Sequence, residues 1–134
     1  MSSASVKWIG GKQFVGTDST NHSVVLSTPD EGVGMKPSEL VLVALAACTA
    51  VDVVDILTKK RAGLLGLEIS AEAEQEKDPP WTFRKIHLTY RLKGSRLTEK
   101  DVHQAIELSE EKYCSVAATL KGKAEITTSF EIVE

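Results

Sequence analysis

Cys48 and Cys114 are the two thiols of this 134-residue chain. As thiolate, a cysteine attacks electrophilic oxygen or sulfur, and a second thiol nearby can trap the oxidised product as a disulfide. Two cysteines by themselves make neither a zinc site nor the disulfide framework of a small secreted protein. Cys48 lies between Ala47 and Thr49 in an apolar run, and free cysteine is among the most buried residue types, so plain packing accounts for it as readily as reactivity. If the run is a helix, Cys48 sits about ten residues from its start. The helix dipole then does little for the thiol, and desolvation raises its pKa. Reactivity therefore requires a cation or a donor network brought from elsewhere in the fold. Asp52 and Asp55, four and seven residues on, share the Cys48 face. Close to the thiol they would raise its pKa; otherwise they cap backbone groups or pair with Lys or Arg across a dimer. Lys7, Lys12, His22 and Lys36 are the basic side chains ahead of this run. His22 is placed in a loop-to-strand region from which it could donate a hydrogen bond, although each of these is equally an ordinary surface residue.

These side chains must be positioned by a mixed set of elements. Ser5–Ile9, Gln13–Gly16 and Ser23–Ser27 read as short strands separated by Gly10-Gly11 and by Asp18-Ser-Thr-Asn21, both of which are turn chemistry. Paired glycines supply the positive φ of a tight hairpin. Residues 29–36 form a loop, and Pro37 suits the first position of a helix that the pattern carries to Arg61. Glu39 lies in its first turn, Lys59, Lys60 and Arg61 in its last, and Gly63 is placed to stop it. Leu40 to Val51 is apolar on every side, unlike a surface helix. A partner subunit covering the spare face is the natural solution. Two long strands follow, Leu67–Glu76 and Thr82–Lys93, each alternating apolar and polar residues, with Asp78-Pro79-Pro80 between them. In the first, Glu68, Glu72, Glu74 and Glu76 make a wet face. Thr98-Glu-Lys-Asp101 resembles a capping box with Asp in place of Glu and opens a helix running to Tyr113. Ser115–Leu120 is a further short helix closed by Gly122, and Glu125–Val133 a last strand. The order βββ-α-ββ-α-(α)-β is α+β, in a single domain over residues 1–134.

Composition removes several classes of function. With 16 Lys+Arg against 19 Asp+Glu, the chain has no basic excess for phosphate neutralisation, so no nucleic-acid partner is expected. Aromatic residues are 5%, too few for a base-stacking platform. The start, Met1 to Trp8, lacks the basic and apolar regions of a signal peptide. The uncharged apolar stretch ends at Asp52, short of the ~20 residues of a membrane span. The expectation is a soluble cytoplasmic protein without a membrane partner.

The segment Lys36-Pro-Ser-Glu39-Leu-Val-Leu-Val-Ala-Leu-Ala-Ala-Cys48-Thr-Ala-Val-Asp52-Val-Val-Asp-Ile-Leu resembles the central helix of the OsmC/Ohr family, the osmotically induced protein C-like and organic hydroperoxide resistance proteins. Glu-Lys-Tyr113-Cys114-Ser115-Val-Ala-Ala-Thr-Leu resembles that family's second cysteine segment, and the spacing of 66 residues between the thiols fits. The resemblance extends over the whole chain. It implies an intertwined homodimer with long central helices packed between sheets and active sites built from both chains. It also implies a peroxidase role for Cys48 and Cys114. Cys48 would become a sulfenic acid on reducing a hydroperoxide, Cys114 would condense with it to a disulfide, and an external dithiol would restore both. Neither a metal nor an organic cofactor is implied.

The sequence departs from the family at one place. The hydroperoxide reductases stabilise the attacking thiolate with an Arg in the N-terminal loop, oriented by a Glu ten residues before the Cys. Here the first arginine is Arg61, Ser38 stands ten before Cys48, and Glu39 is nine before, a half-turn away on a straight helix. Glu39, His22 and Lys12 are the candidate supporting groups. The alternative function is a non-catalytic small-molecule-binding or redox-sensing dimer on the same scaffold.

Overall fold

The computed structural model describes residues 1–134. The elements run β1 (Ala4–Gly10), β2 (Gln13–Asp18), β3 (Ser23–Ser27), α1 (Pro37–Lys59), β4 (Leu64–Gln75), β5 (Phe83–Gly94), α2 (Glu99–Leu108), a π-helical turn (Ser109–Tyr113), α3 (Ser115–Leu120) and β6 (Glu125–Val133). The backbone gathers into two compact units, residues 1–41 and 42–134.

In the first unit β1, β2 and β3 form an antiparallel sheet in that order. The β1–β2 turn depends on its glycines, with φ of 113° at Gly10 and 55° at Gly11, angles that other residues adopt only with strain. Glu31 ties the following loop to this hairpin. Its carboxylate accepts from the Lys12 backbone N–H and from the Gln13 side chain, each at 3.0 Å.

The second unit is a three-stranded sheet in the order β4-β5-β6, with β4–β5 antiparallel and β5–β6 parallel. A parallel pair cannot be joined by a hairpin, so α2, the π turn and α3 make the crossover. Strand alternation holds as the sequence predicts. Ile86, Leu88, Tyr90 and Leu92 of β5 are fully buried, while Glu68, Glu72 and Glu74 of β4 are exposed. The dry face packs in one core with Leu45, Val53 and Leu57 of α1 and with Val102, Ala105 and Ile106 of α2.

Helix α1 differs from expectation at its end. It stops at Lys59, and Arg61, with φ of 56°, takes the left-handed position before Gly63 is reached. The Ala62 N–H bonds the Leu57 carbonyl at 3.1 Å and the Arg61 N–H the Thr58 carbonyl at 3.0 Å, the two bonds of a Schellman cap. The helix also continues through Asp52 and Asp55, so at 23 residues it is long and apolar enough to cross a membrane, which the apolar run alone did not suggest. One stripe of it, Leu45, Thr49, Val53 and Leu57, is buried within the protein.

Helix α2 is shorter than the sequence implies. The Thr98 side chain accepts from the Asp101 N–H at 3.1 Å, which is half of a capping box. The Asp101 carboxylate instead meets Lys60 at 3.5 Å. After Leu108 the chain widens by one residue, and the Cys114 N–H bonds the Ser109 carbonyl at 2.7 Å. Such π turns are frequent at functional sites. Replacing the cap, Thr98→Ala, is expected to lower unfolding stability by about 1 kcal/mol, measured by urea denaturation with an unchanged m-value.

Candidate active site

Cys48 enters the site from α1 because it stands one residue before the buried Thr49 stripe. That offset leaves its side chain half-buried at the edge of the core. Cys114 enters from the other side of the crossover. It is the residue between the π turn and α3, 2% exposed, and its sulfur caps α3 by accepting the Ala117 N–H at 3.3 Å. The two thiols lie near each other at the core's edge, each bearing on the other's ionisation, and both are free.

Their environments act in opposite directions. Burial pushes the Cys48 thiol up. The Cys114 thiol, the Val116 and Ser115 backbone N–H groups and the Ser115 hydroxyl all favour its thiolate, and together they hold Cys48 below the ordinary thiol value. For Cys114, burial and the neighbouring Cys48 both raise the pKa, to about 11, against a smaller favourable contribution from the Ala117 N–H. Free backbone donors of one short segment, residues 115–117, thus converge on two sulfurs. Within the chain, the crossover supplies a donor network for Cys48, and it is the feature that sequence reasoning missed. Its signal was the small-residue stretch directly after Cys114, where nothing but backbone N–H groups and one hydroxyl stand at the start of a helix.

The acids near Cys48 in sequence are occupied. Asp52 accepts the Ser109 hydroxyl at 2.7 Å, which anchors the π turn to α1. Asp55 pairs with Lys59 on its own helix at 3.1 Å. Away from Cys48 in sequence, Glu76 of the acidic strand face pairs with Arg84. The three accessory candidates belong to the N-terminal unit, where each has local partners. Lys12 lies 4.0 Å from Asp30, His22 Nδ1 is 2.8 Å from the Thr20 hydroxyl, and Glu39 meets Lys36 at 3.3 Å. A cleft of about 490 Å³ beside α1 and α2 is bordered by Asp52, Lys60 and Tyr113, and neither cysteine lines it. No three His, Cys, Asp or Glu side chains converge as metal ligands would.

The chain is thus an α+β protein with two neighbouring thiols, one on a long apolar helix and one capping a crossover helix. Residues 29–129 match the family model described as OsmC-like protein, and the chain belongs to the OsmC/Ohr-like family. It is 36% identical over 130 residues to Protein YhfA of Escherichia coli (strain K12), covering 97% of each chain. Among solved structures it is similar to a protein of Aquifex aeolicus VF5, at 28% identity and a TM-score of 0.90 over 99% of this chain and 96% of that one. An organic hydroperoxide resistance protein from Elizabethkingia anophelis shares the fold at 13% identity, with a TM-score of 0.71 over 99% of this chain and 96% of that one.

The pKa shifts set a pH dependence of stability. Cys114 has its folded pKa raised, so the neutral thiol is favoured in the native state. Its contribution is complete below the ordinary thiol value near 9 and is lost as pH rises through about 11. Cys114→Ser is therefore expected to flatten the first part of the alkaline fall in stability while leaving the later fall from Tyr90, whose pKa is raised to about 12. Chemical denaturation of both proteins across that pH range checks it.

Proposed function

We propose that this protein is a cysteine-dependent hydroperoxide reductase, with Cys48 as nucleophile and Cys114 as resolving thiol. The observation that carries the reading is the opposite bias on two neighbouring thiols. Cys48 is half-exposed and held toward the thiolate, whereas Cys114 is buried and held as the thiol. That asymmetry is what a two-step cycle needs, because the thiolate is the reactive form and only one sulfur should meet the oxidant first.

The Cys48 thiolate attacks the terminal oxygen of R–O–O–H. The O–O bond breaks, the alkoxide leaves and takes a proton as ROH, and Cys48 becomes a sulfenic acid. The Cys114 sulfur then attacks the Cys48 sulfur, the S–O bond breaks, and water leaves a disulfide. An external dithiol opens that disulfide in two exchanges and departs oxidised, with both thiols restored. In sum, hydroperoxide and dithiol become alcohol, water and a cyclic or linear disulfide. Stabilisation by neutral donors at residues 114–116 stands in for the family's N-terminal Arg. Lys12, His22 and Glu39 enter only as accessory groups. The family-level association with peroxide reduction and the shared fold of the organic hydroperoxide resistance protein support this reading.

The reading includes a homodimer. Val43, Val51 and Val54 of α1, 47%, 69% and 41% exposed, form an apolar stripe next to the buried one, as a helix shared between two subunits would have. Sedimentation of the native protein is expected to give two copies, and Val51→Asp to shift the population towards one. A monomer in both would remove the shared-helix part of the proposal.

Activity is tested with reduced protein, cumene hydroperoxide and a dithiol. The expected result is turnover in wild type and none above background in Cys48→Ser, with a Cys48–Cys114 bridge seen by mass spectrometry after one equivalent of peroxide. In Cys114→Ser, Cys48 is expected to pass on to the sulfinic acid. Equal, background-level peroxide loss in wild type and Cys48→Ser sinks the reductase and leaves the binding or redox-sensing role.

A further inference from the structure

Two short hydrogen bonds in series connect Cys114 to the helix that carries Cys48. The Ser109 hydroxyl donates to Asp52 Oδ2 at 2.7 Å, across 57 residues of sequence. That is the length of a charge-assisted bond, which is roughly twice as strong as a neutral one. The Cys114 N–H then donates to the Ser109 carbonyl, also at 2.7 Å. Asp52 stands four residues after Cys48, one turn further along the same face of α1. Ser109 stands five residues before Cys114, one π turn back along the crossover. The two elements are therefore fastened together one turn away from each thiol, by side chains that the thiol chemistry itself does not use.

The widened turn decides which residue is presented to α1. In an α turn the Ser109 carbonyl would take the N–H of Tyr113, whereas here it takes that of Cys114. Tyr113 is left 54% exposed and Cys114 only 2% exposed. Ser109 is fully buried, so its hydroxyl must find a partner within the protein, and Asp52 is that partner. Beyond it Lys121 donates to the Glu110 carbonyl at 2.8 Å, which ties the turn to the end of α3. Cys114 has little slack, because its N–H is held by Ser109 and its sulfur accepts the Ala117 N–H at 3.3 Å.

We propose that Asp52 and Ser109 are positioning residues, a clamp that sets the effective concentration of Cys114 at Cys48 and with it the reduction potential of their disulfide. The clamp rests on the two-cysteine reading above and acts only through Cys114. A disulfide closes at a rate, and with an equilibrium constant, that follow how much of the time the second sulfur is held within reach of the first. Orientation-dependent steps of this kind lose about 100-fold for a misplacement of about 1 Å. Releasing Ser109 frees the Cys114 backbone, and the thiol pair then approaches the behaviour of two unlinked thiols.

The test is the equilibrium of the full chain with glutathione. The Cys48 thiolate attacks glutathione disulfide and releases one glutathione. Cys114 attacks the Cys48 sulfur of the mixed disulfide and releases the second. The protein thiols give up two electrons and two protons, and glutathione disulfide leaves as two glutathione thiols. The constant of this exchange is the effective concentration, read by mass spectrometry as bridged over reduced protein at known glutathione. Ser109→Ala and Asp52→Ala are expected to lower it by about 10-fold or more, which raises the potential by about 30 mV for each tenfold. Asp52→Asn keeps an acceptor for the hydroxyl and is expected to stay within about threefold of wild type. Because the two residues act as one unit, the double alanine variant should lose no more than the larger single loss. Asp52 borders the open cleft beside α2, so Ser109→Ala leaves its carboxylate to water and carries the test if Asp52→Ala does not fold. Thr98→Ala weakens α2 away from the clamp, and its constant is expected to equal that of wild type. A wild-type constant in Ser109→Ala, or an equal fall in Thr98→Ala, overturns the clamp, as does a wild type that glutathione disulfide leaves unbridged. The exchange needs no peroxide, so a bridge that forms without any loss of cumene hydroperoxide removes the reductase alone, and the glutathione constants still decide the clamp.

Discussion

The structure turns on the contact between Cys48 and the start of the segment that follows Cys114. Two sulfurs and the N–H groups of residues 115–117 meet at one point, and each satisfies a requirement of the other. The first N–H groups of a helix have no partner within it. A sulfur carrying partial or full negative charge at the edge of a core has few places to put that charge. Bringing the two together pairs the orphan donors and stabilises the thiolate in the same step. Charge-assisted hydrogen bonds are roughly twice as strong as neutral ones, so this modest set of donors outweighs the desolvation of Cys48.

That contact is a product of topology. Because β5 and β6 are parallel, the chain must cross the sheet between them, and the crossover passes over the α1 helix lying on the dry face. The Ser109 hydroxyl bound to Asp52 holds the crossover to α1, and the Cys114 N–H to Ser109 carbonyl bond closes the widened turn immediately afterwards. Asp52 thus acts as an anchor for the second cysteine segment, a different role from that of a repulsive charge against the thiol.

Neutral donors and a guanidinium stabilise a thiolate by different physics. A cation acts over several ångströms, is screened by salt and is itself costly to bury. Backbone N–H groups act over a single hydrogen bond, carry no net charge and are fixed by the fold, so they need little reorganisation when charge develops. A site of this kind tolerates an apolar setting, which matches the position of Cys48 at the margin of a core built from Leu45, Val53, Leu57 and the β5 side chains.

The sequence by itself determined the order of elements, the strand alternation and the identity of both thiols. Those follow from local rules: period-two burial on β4 and β5, turn glycines at Gly10 and Gly11, and a cap at Thr98. It also announced that Cys48 would need donors from elsewhere, without saying which. Helix ends escaped it where tertiary contacts override propensity. Arg61, ahead of Gly63, takes the left-handed cap, and the α2 pattern widens at Ser109, whose hydroxyl binds Asp52, 57 residues away in sequence. Only the tertiary structure decided which groups surround each sulfur. The donors on Cys48 are main-chain atoms, present at nearly every residue and therefore silent in a sequence. Local chemistry fixes what a segment becomes, whereas the pKa of a thiol depends on what the fold sets against it.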